Sequence, residues 1–192
     1  MEAELQKAKS VLRAEVRARL KALAAHKPSA TSRKLCGQLR SQPVWSDAKS
    51  VLFFAPLADE PDLWPLLIEA LAAGKTVCLP RYVSGNEGYV ASQVRDIHQD
   101  LVCGKFNVRE PAAGCPEVPL NRLDLVLVPG VAFDVRGARL GRGKGFYDRL
   151  LAYVRGTKCG VAFEEQIVDA VPVGPLDIHL NCILTPTRWI ET

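Results

Sequence analysis

Apolar residues recur at helical intervals in three parts of the chain. Between residues 3 and 25 their spacing predicts an amphipathic helix with these apolar positions: Leu5, Leu12, Val16, Leu20 and Leu23. Pro28 ends this pattern, and a second helix is expected from about Thr31 to Leu39. A third is expected from Pro61 to Ala73, and Gly74 follows it as glycine commonly follows a helix.

Short apolar runs separate these helices and predict buried strands. The expected strands are Ser50–Phe54, Thr76–Leu79, Leu123–Val128, Lys158–Phe163 and Cys182–Thr185. Pro80 is expected to close the second of them, and a further helix is expected over residues 145–155. Residues 87–96 alternate loosely and suggest an outer strand pair, whereas the prolines and glycines of residues 103–122 predict a loop.

The alternation of strands with helices predicts the fold class. It favours a mostly parallel sheet covered on both faces, in one α/β domain over residues 1–192. A chain with 48% apolar and 24% charged residues can fill one such core. Ligands of such sheets bind beyond the carboxyl ends of the strands, so the segments of interest follow Phe54, Leu79, Val128 and Phe163.

Charge and motif content argue against several classes of protein. The net charge of +4 fits an ordinary surface and an anionic small-molecule site equally well, and it is too low for a typical nucleic-acid binder. No apolar run approaches the ~20 residues of a membrane span. Glu2, Glu4 and Glu15 argue against a secretory or mitochondrial leader, so we expect a cytoplasmic protein. Six cysteines without a C-x-x-C pair predict free thiols, and the absence of H-E-x-x-H and G-x-S-x-G motifs gives hydrolysis no support.

The glycine-rich run at residues 141–145 carries the clearest chemical signal. Alternating glycines before a helix let the backbone approach a ligand and turn its N–H groups toward an anion. Arg139, Arg142 and Lys144 add full charges that suit a phosphate chain. The run is not a Walker A loop, because Gly145 stands where that loop needs a hydroxyl for magnesium. Asp148 is then the natural metal ligand, and a flexible basic turn remains the alternative interpretation.

Other charged residues stand near the expected ligand edge, but their pattern alone is ambiguous. The first helix carries a stripe of cations at four-residue steps: Lys9, Arg13 and Arg17. That stripe is either a solvated face or a contact to a nucleotide. Asp59 and Glu60 follow the first strand and are either helix-start acids or substrate contacts. Asp177 is either a loop acid or a second carboxylate for magnesium.

Five short segments, taken in order, form a pattern that spans nearly the whole chain. They are Ala8–Arg13, Leu79–Tyr82, Val128–Asp134, Leu140–Asp148 and Ala162–Gln166. Together they resemble the 5-formyltetrahydrofolate cyclo-ligase (methenyltetrahydrofolate synthetase) family, and Leu140–Asp148 is close to that family's signature. The sequence departs from the family at two aromatic positions. Phe146 stands where many members have tyrosine, and Phe106 stands where some have tryptophan.

The resemblance implies a fold, a reaction and its cofactors. The fold is a three-layer α/β/α single domain with a mostly parallel central sheet, Rossmann-like and of the NagB/RpiA/CoA-transferase-like kind. The reaction is ATP- and Mg²⁺-dependent cyclisation of 5-formyltetrahydrofolate to 5,10-methenyltetrahydrofolate, with release of ADP and phosphate. Phosphorylation turns the formyl oxygen into a leaving group, so catalysis is largely placement and charge stabilisation. The expected partners are the folate and ATP alone, bound by a monomer, with no nucleic acid or membrane.

The resemblance also assigns roles residue by residue. The ATP contacts are expected at Lys9, Arg13, Arg139, Leu140, Gly141, Arg142, Gly143, Lys144, Gly145, Phe146 and Tyr147. The folate contacts are expected at Ala55, Glu60, Phe106 and Tyr147, with Glu60 reading the amino groups of the pterin. The catalytic groups are expected to be Lys144, Arg142 and Tyr147, and the magnesium ligands Asp148 and Asp177.

Two other functions remain as alternatives at this point. One is a paralogue that keeps the ATP site but acts on another substrate or is non-catalytic. The other is an RNA-binding module, suggested by a pI near 8.8 and a basic first helix. Its cations are scattered and accompany no nucleic-acid motif, so the enzyme is favoured.

Overall fold

The computed structural model describes residues 2–24, 28–86 and 88–192. Its helices are α1 (Glu2–Ala24), α2 (Pro28–Arg40), α3 (Pro43–Asp47), α4 (Trp64–Ala72) and α5 (Phe146–Leu151). Short 3₁₀ helices lie at residues 84–86, 105–107, 120–122 and 164–166. Within the described ranges no helix combines the length and the apolar content needed to cross a membrane.

Thirteen strands are present in the described residues. The first six are β1 (Ser50–Leu52), β2 (Thr76–Val83), β3 (Gly88–Val94), β4 (Leu101–Cys103), β5 (Arg109–Pro111) and β6 (Glu117–Val118). The others are β7 (Leu125–Val128), β8 (Ala132–Asp134), β9 (Arg139–Leu140), β10 (Thr157–Val161), β11 (Ile167–Val168), β12 (Cys182–Leu184) and β13 (Trp189–Glu191).

The central sheet has the strand order β13-β12-β10-β7-β1-β2-β3-β6. Strands β12, β10, β7, β1 and β2 run parallel to one another, and β13, β3 and β6 are antiparallel to their neighbours. Strands β1, β7 and β12 are buried along their whole length, which is why they read as mostly apolar runs in the sequence. The predicted α/β class with a mostly parallel sheet is confirmed.

Each face of the sheet is covered by a different layer. Helices α2, α3 and α4 cover one face, through residues such as Leu35, Trp45 and Leu66. Helix α5 covers the other face through Leu150, together with Phe133 of a small sheet with the strand order β11-β8-β9. Helix α1 packs on the outside of this small sheet. The second layer is therefore part helix and part sheet, a mixture that the alternation pattern does not predict.

The predicted strand boundary at Pro80 is wrong. β2 continues to Val83, and Pro80 pairs with Ala91 of β3. The backbone N–H and C=O groups of alternate residues in a strand face the same neighbouring strand, so those of Cys78 and Pro80 face the same side. The Cys78 carbonyl accepts a hydrogen bond from the Phe53 N–H at 2.9 Å, so this side is the one that faces β1. The missing N–H of Pro80 therefore faces the side on which β1 has already ended, so the strand tolerates the proline.

Other boundaries differ because tertiary pairing overrides local sequence. Residues 103–122 contain β5 and β6, which pair with β4 and β3, so the predicted loop is partly wrong. Residues 88–94 form a single strand instead of a pair, while Glu87 lies outside the described residues. Helix α4 starts at Trp64 and α5 ends at Leu151, both shorter than predicted. Gly74 follows α4 with φ 75°, as its position predicted.

A buried carboxylate organises the turn after β8. Asp134 is fully buried, and its oxygens accept hydrogen bonds from the backbone N–H groups of Arg136 (2.9 Å), Ala138 (3.2 Å) and Val171 (2.9 Å). Burial by itself raises the pKa of Asp134. The hydrogen bonds from Val171, Arg136 and Ala138 outweigh burial and hold the pKa below its ordinary value. This turn carries the chain from β8 into β9 and the glycine-rich run.

Asp134→Asn is expected to lower the free energy of unfolding by about 1–3 kcal/mol at pH 7, because buried N–H groups lose a charged acceptor. A carboxyl with a lowered folded-state pKa stabilises the fold above its unfolded pKa, about 3.9. The difference from wild type should therefore shrink as pH falls below about 4. Urea denaturation at several pH values measures this difference in the free energy of unfolding, with Asp47→Asn, at an exposed acid, as control. Equal loss in both variants would contradict the assignment.

Candidate active site

One cavity of about 500 Å³ opens at the carboxyl ends of the parallel strands. Phe54 and Ala55 line it just beyond β1, Pro80 lines it from β2, and Pro129 and Gly130 line it beyond β7. Three of the four strand ends singled out from the sequence therefore meet here. Beyond the fourth, Phe163 is buried instead against α1 and does not line the cavity.

The glycine-rich run forms one side of this cavity. Gly143 has φ 105° and Gly145 has φ 63°, in the left-handed region that favours glycine. Gly141 leaves room for Arg139, since a Cβ there would lie 2.9 Å from its Nη1. Helix α5 after the run has only six residues, so its dipole adds little. Full positive charges must therefore provide most of the attraction for an anion.

Helix α1 supplies two of these charges. Lys9 is 7% exposed and forms an ion pair with Asp177, which also accepts from the Gly174 N–H at 2.5 Å. Arg13 donates from Nε to the Gly141 carbonyl at 2.9 Å, so it ties α1 to the glycine-rich run. Lys9, Arg13 and Asp177 line the cavity, whereas Arg17 of the same stripe is exposed and does not.

Arg139 lies beneath the run and is almost completely buried. Its Nη2 donates to Asp148 Oδ1 at 2.8 Å and its Nη1 donates to the Pro129 carbonyl at 3.2 Å. Its Nε is buried without a hydrogen-bond partner in the described structure. A buried donor left unsatisfied costs about 1–3 kcal/mol, and a ligand oxygen would remove that cost. Arg139 is thus preorganised in a way that suits an anionic ligand.

Arg142 points across the cavity mouth to two carboxylates. Its Nη2 lies 2.6 Å from Asp59 Oδ1 and 3.0 Å from Glu60 Oε1, and its Nε lies 3.3 Å from the same Glu60 oxygen. Glu60 is 9% exposed, and its Oε2 accepts from the Leu57 N–H at 3.0 Å. Burial raises the pKa of Glu60 above its ordinary value, although the Leu57 N–H and Arg142 act in the opposite direction.

Aromatic rings form a second side of the cavity. The Phe146 ring lies 5.2 Å from that of Tyr89 and 5.7 Å from that of Tyr82, and Tyr89 lies 6.2 Å from Tyr147. Burial, and next the charge of Glu60, raise the pKa of Tyr147 well above its ordinary value. Tyr147 therefore remains a protonated hydrogen-bond donor at neutral pH. This side suits a flat, uncharged ring system.

The segment from Lys105 to Glu110 forms the remaining side. Lys105, Val108, Arg109 and Glu110 all line the cavity. Glu110 accepts from the backbone N–H of Tyr82 at 3.1 Å and from that of Lys105 at 3.3 Å, which fastens the segment to β2. The side chain of Phe106 lies outside the described part of the chain, so the predicted folate contact there remains a prediction.

The sequence predictions converge on this one cavity. Apart from Phe106, every predicted site residue lines it: Lys9, Arg13, Ala55, Glu60, Arg139, Leu140, Gly141, Arg142, Gly143, Lys144, Gly145, Phe146, Tyr147, Asp148 and Asp177. The structure brings these residues together from α1, the β1–α4 connection, β9, the glycine-rich run, α5 and a loop near residue 177. Their individual roles remain predictions.

The profile of the 5-formyltetrahydrofolate cyclo-ligase family matches residues 5–186 of the chain. The match covers the glycine-rich run, every residue that lines the cavity and every strand except β13. The chain belongs to the 5-formyltetrahydrofolate cyclo-ligase family.

Individual cyclo-ligases are similar over almost their full length. The 5-formyltetrahydrofolate cyclo-ligase of Escherichia coli K12 is 32% identical over 180 residues, which is 92% of this chain and 99% of that protein. The mouse cyclo-ligase is 30% identical, over 92% of this chain and 93% of its own length. The NMR structure of Aquifex aeolicus 5,10-methenyltetrahydrofolate synthetase superposes with a TM-score of 0.82 at 35% identity, covering 95% and 92% of the two chains.

The cyclo-ligase cavity includes residues that the sequence pattern did not indicate. Tyr89 belongs to β3, which pairs with β2. Glu110 belongs to β5, which pairs with β4 and is joined to β2 by the hydrogen bond between the Tyr82 N–H and the Glu110 side chain. No local motif marks either residue. The position of each depends on pairing between distant segments, and the loose alternation of residues 87–96 was a signal for the strand of Tyr89 alone.

The carboxylates Asp148 and Asp177 offer a limited but suitable donor set for Mg²⁺. Each uses one oxygen for its cation, Asp148 with Arg139 and Asp177 with Lys9, and each has a second oxygen. Among the described residues no three His, Cys, Asp or Glu side chains cluster as metal ligands. Mg²⁺ commonly binds one or two carboxylates and takes its other ligands from phosphates and water, so this pair fits such an ion.

Proposed function

We propose that the chain catalyses the ATP- and Mg²⁺-dependent conversion of 5-formyltetrahydrofolate to 5,10-methenyltetrahydrofolate, with release of ADP and phosphate. The observation that carries the proposal is that one cavity contains both the cationic glycine-rich run and the aromatic side. Glu60 also lines this cavity and accepts a hydrogen bond from Arg142 of the run. The first feature suits a nucleotide and the second suits a pterin. The names of the related proteins support the same reaction.

The nucleotide is assigned to the cationic side. Lys9 and Arg13 approach the triphosphate from α1, and Arg139 approaches from beneath the run with its unsatisfied Nε. The backbone of residues 139–147 surrounds the phosphates, and Lys144 supplies an exposed ammonium group. These cations favour the triphosphate because they lie in a cavity partly shielded from water.

The folate is assigned to the aromatic side. Its pterin packs near Ala55 and Tyr147, with Phe106 as a further proposed contact. The Glu60 carboxylate accepts hydrogen bonds from the pterin amino group, because it is the buried acid of this region. This arrangement places the formyl group between the pterin side and the phosphate side of the cavity.

The reaction then needs placement more than a nucleophilic side chain. The formyl oxygen attacks the γ-phosphorus and ADP leaves with the electrons of the broken P–O bond. The neighbouring amine of the folate attacks the formyl carbon and releases its proton to water, and the phosphorylated oxygen leaves as phosphate. Arg142 and Lys144 stabilise the negative charge that develops on the phosphoryl oxygens, and Tyr147 donates a hydrogen bond beside the formyl group.

Bound Mg²⁺ would neutralise phosphate charge, held by Asp148 and Asp177. Asp148→Asn is expected to raise the Mg²⁺ concentration needed for half-maximal activity by about tenfold, since one anionic oxygen ligand is lost. Titration of Mg²⁺ at saturating ATP and folate measures this. Asp169→Asn, an exposed acid away from the cavity, should match wild type. An unchanged Mg²⁺ requirement in Asp148→Asn would remove Asp148 as a ligand.

The deciding experiment mixes purified protein with Mg-ATP and 5-formyltetrahydrofolate and follows the absorbance of the methenyl product. Product formation that depends on both ATP and the folate is the expected result. Well-folded protein that binds ATP but forms no product would contradict the proposal and favour the paralogue with another substrate. A salt titration of RNA binding tests the remaining alternative, and weak or absent binding at physiological salt is expected.

The same proposal includes a single domain over residues 1–192 that acts as a cytoplasmic monomer. Every assigned residue lies in one chain, so no second copy is needed to complete the cavity. All six cysteines are free thiols, as the sequence predicted and as suits a reducing compartment. Size-exclusion chromatography with light scattering measures the oligomeric state.

A further inference from the structure

Asp59 does not line the cavity, yet it holds a residue that does. Its Oδ1 lies 2.6 Å from Arg142 Nη2, and the two side chains are 42% and 36% exposed. The same Nη2 also donates to Glu60, at 3.0 Å. The guanidinium is therefore held by two acids on the folate side of the cavity mouth, although it belongs to the phosphate-binding run.

Glu60 faces two competing demands. In the ligand-free chain its Oε1 accepts from Nε and Nη2 of Arg142. Under the proposed function the same carboxylate accepts from the pterin. Oε1 already accepts two hydrogen bonds from Arg142, and Oε2 accepts one from the Leu57 N–H, so a pterin amino group that binds at Oε1 competes directly with Arg142. A bound pterin therefore weakens the attachment of Arg142 to Glu60.

We propose that Asp59 and Glu60 form a latch that holds Arg142 away from the phosphates until folate takes Glu60. The inference rests on the proposed function of the cavity. Asp59 is a positioning residue in this scheme, because it acts on the nucleotide only through Arg142. The two carboxylates share one nitrogen of the guanidinium, so their contacts with it break together when Arg142 turns to a phosphate.

The latch couples the two substrates. ATP bound alone must break the contacts of Arg142 with both acids. After folate has bound, only the part-exposed ion pair with Asp59 remains, and Glu60 no longer helps to hold the guanidinium in place. Folate should therefore tighten ATP binding, and ATP must tighten folate binding by the same factor. Loss of the Asp59 charge favours the released state without any ligand, so it should strengthen binding of either ligand alone and reduce the coupling.

Calorimetric titration with a non-hydrolysable ATP analogue, with and without 5-formyltetrahydrofolate, tests the latch. Asp59→Asn is expected to bind the analogue alone about two- to fivefold more tightly than wild type, the range that a part-exposed ion pair permits. Its affinity in the presence of folate should equal that of wild type, so the coupling factor falls by the same two- to fivefold. Asp59→Glu keeps the charge and should retain coupling.

Asp47→Asn serves as the matched control, because it removes one exposed acid at the opposite edge of the sheet. Its affinities and coupling factor should equal those of wild type. Unchanged or weaker analogue binding in folded Asp59→Asn would overturn the latch, as would a wild-type coupling factor of one. Because only binding is measured, absence of product in the activity assay would contradict the proposed reaction without deciding the latch.

Discussion

Lys144→Ala is expected to lower kcat/KM for the cyclo-ligase reaction by about 10²–10³-fold, the loss seen when one preorganised group that stabilises transition-state charge is removed. The Lys144 side chain is exposed in the glycine-rich run and lines the cavity. The structure therefore depends little on it, and the thermal midpoint should match wild type. Steady-state kinetics with circular dichroism on the same preparations separate the two effects.

The matched control for Lys144 is Lys34→Ala, at an exposed lysine on α2 that does not line the cavity. It removes the same charge and should leave kcat/KM unchanged. Lys144→Arg keeps the charge at a different reach and should recover part of the activity. If Lys144→Ala turns over at the wild-type rate, the phosphate assignment of the run is wrong.

Glu60→Gln is expected to raise the KM for 5-formyltetrahydrofolate by about 10–100-fold, because the proposed charge-assisted hydrogen bond to the pterin would become a neutral one. Burial raises the pKa of Glu60, so the wild-type carboxylate takes up its proton at a higher pH than an ordinary glutamate. Folate affinity in wild type should therefore fall as pH decreases, beginning above the ordinary value of about 4.3.

The glutamine variant cannot titrate, so its folate affinity should not show this loss at low pH. Titration with the folate at several pH values between 4 and 8 measures how the folate affinity of wild type and of Glu60→Gln depends on pH, with Glu15→Gln, at an exposed acid, as control. Parallel profiles for wild type and Glu60→Gln would show that another group controls folate affinity.

The parallel core was predictable because its strands are buried on both faces. Leu125–Val128 reads as an unbroken apolar run. A short run of this kind, with no polar face, is typical of a strand that is buried on both sides. Helix α1 was predictable for a related reason, since Val16 and Leu20 face a core and the charged residues between them do not. Proline misled the prediction at residue 80, where the cost of a missing N–H depends on a neighbour that the sequence does not reveal.

The candidate site divides in the same way. The glycine-rich run was predictable because its glycines and cations are contiguous, so the chemistry is visible in one segment. The contacts of Arg142 with Asp59 and Glu60 were not predictable, because these acids precede Arg142 by 83 and 82 positions in the sequence. The contributions of Tyr89 and Glu110 were hidden for the same reason. Long-range pairing of strands decides which side chains complete the cavity.

The contact between Lys9 and Asp177 joins residues 168 positions apart, and that between Arg13 and Gly141 joins residues 128 apart. During synthesis the first helix therefore leaves the ribosome long before its partners do. At about 5–20 residues per second the wait for Asp177 is on the order of 10–30 s. Until β8, β9 and β11 have been made, the apolar stripe of the helix has no small sheet to cover it. The nascent chain thus needs protection at its beginning until its last quarter has been made.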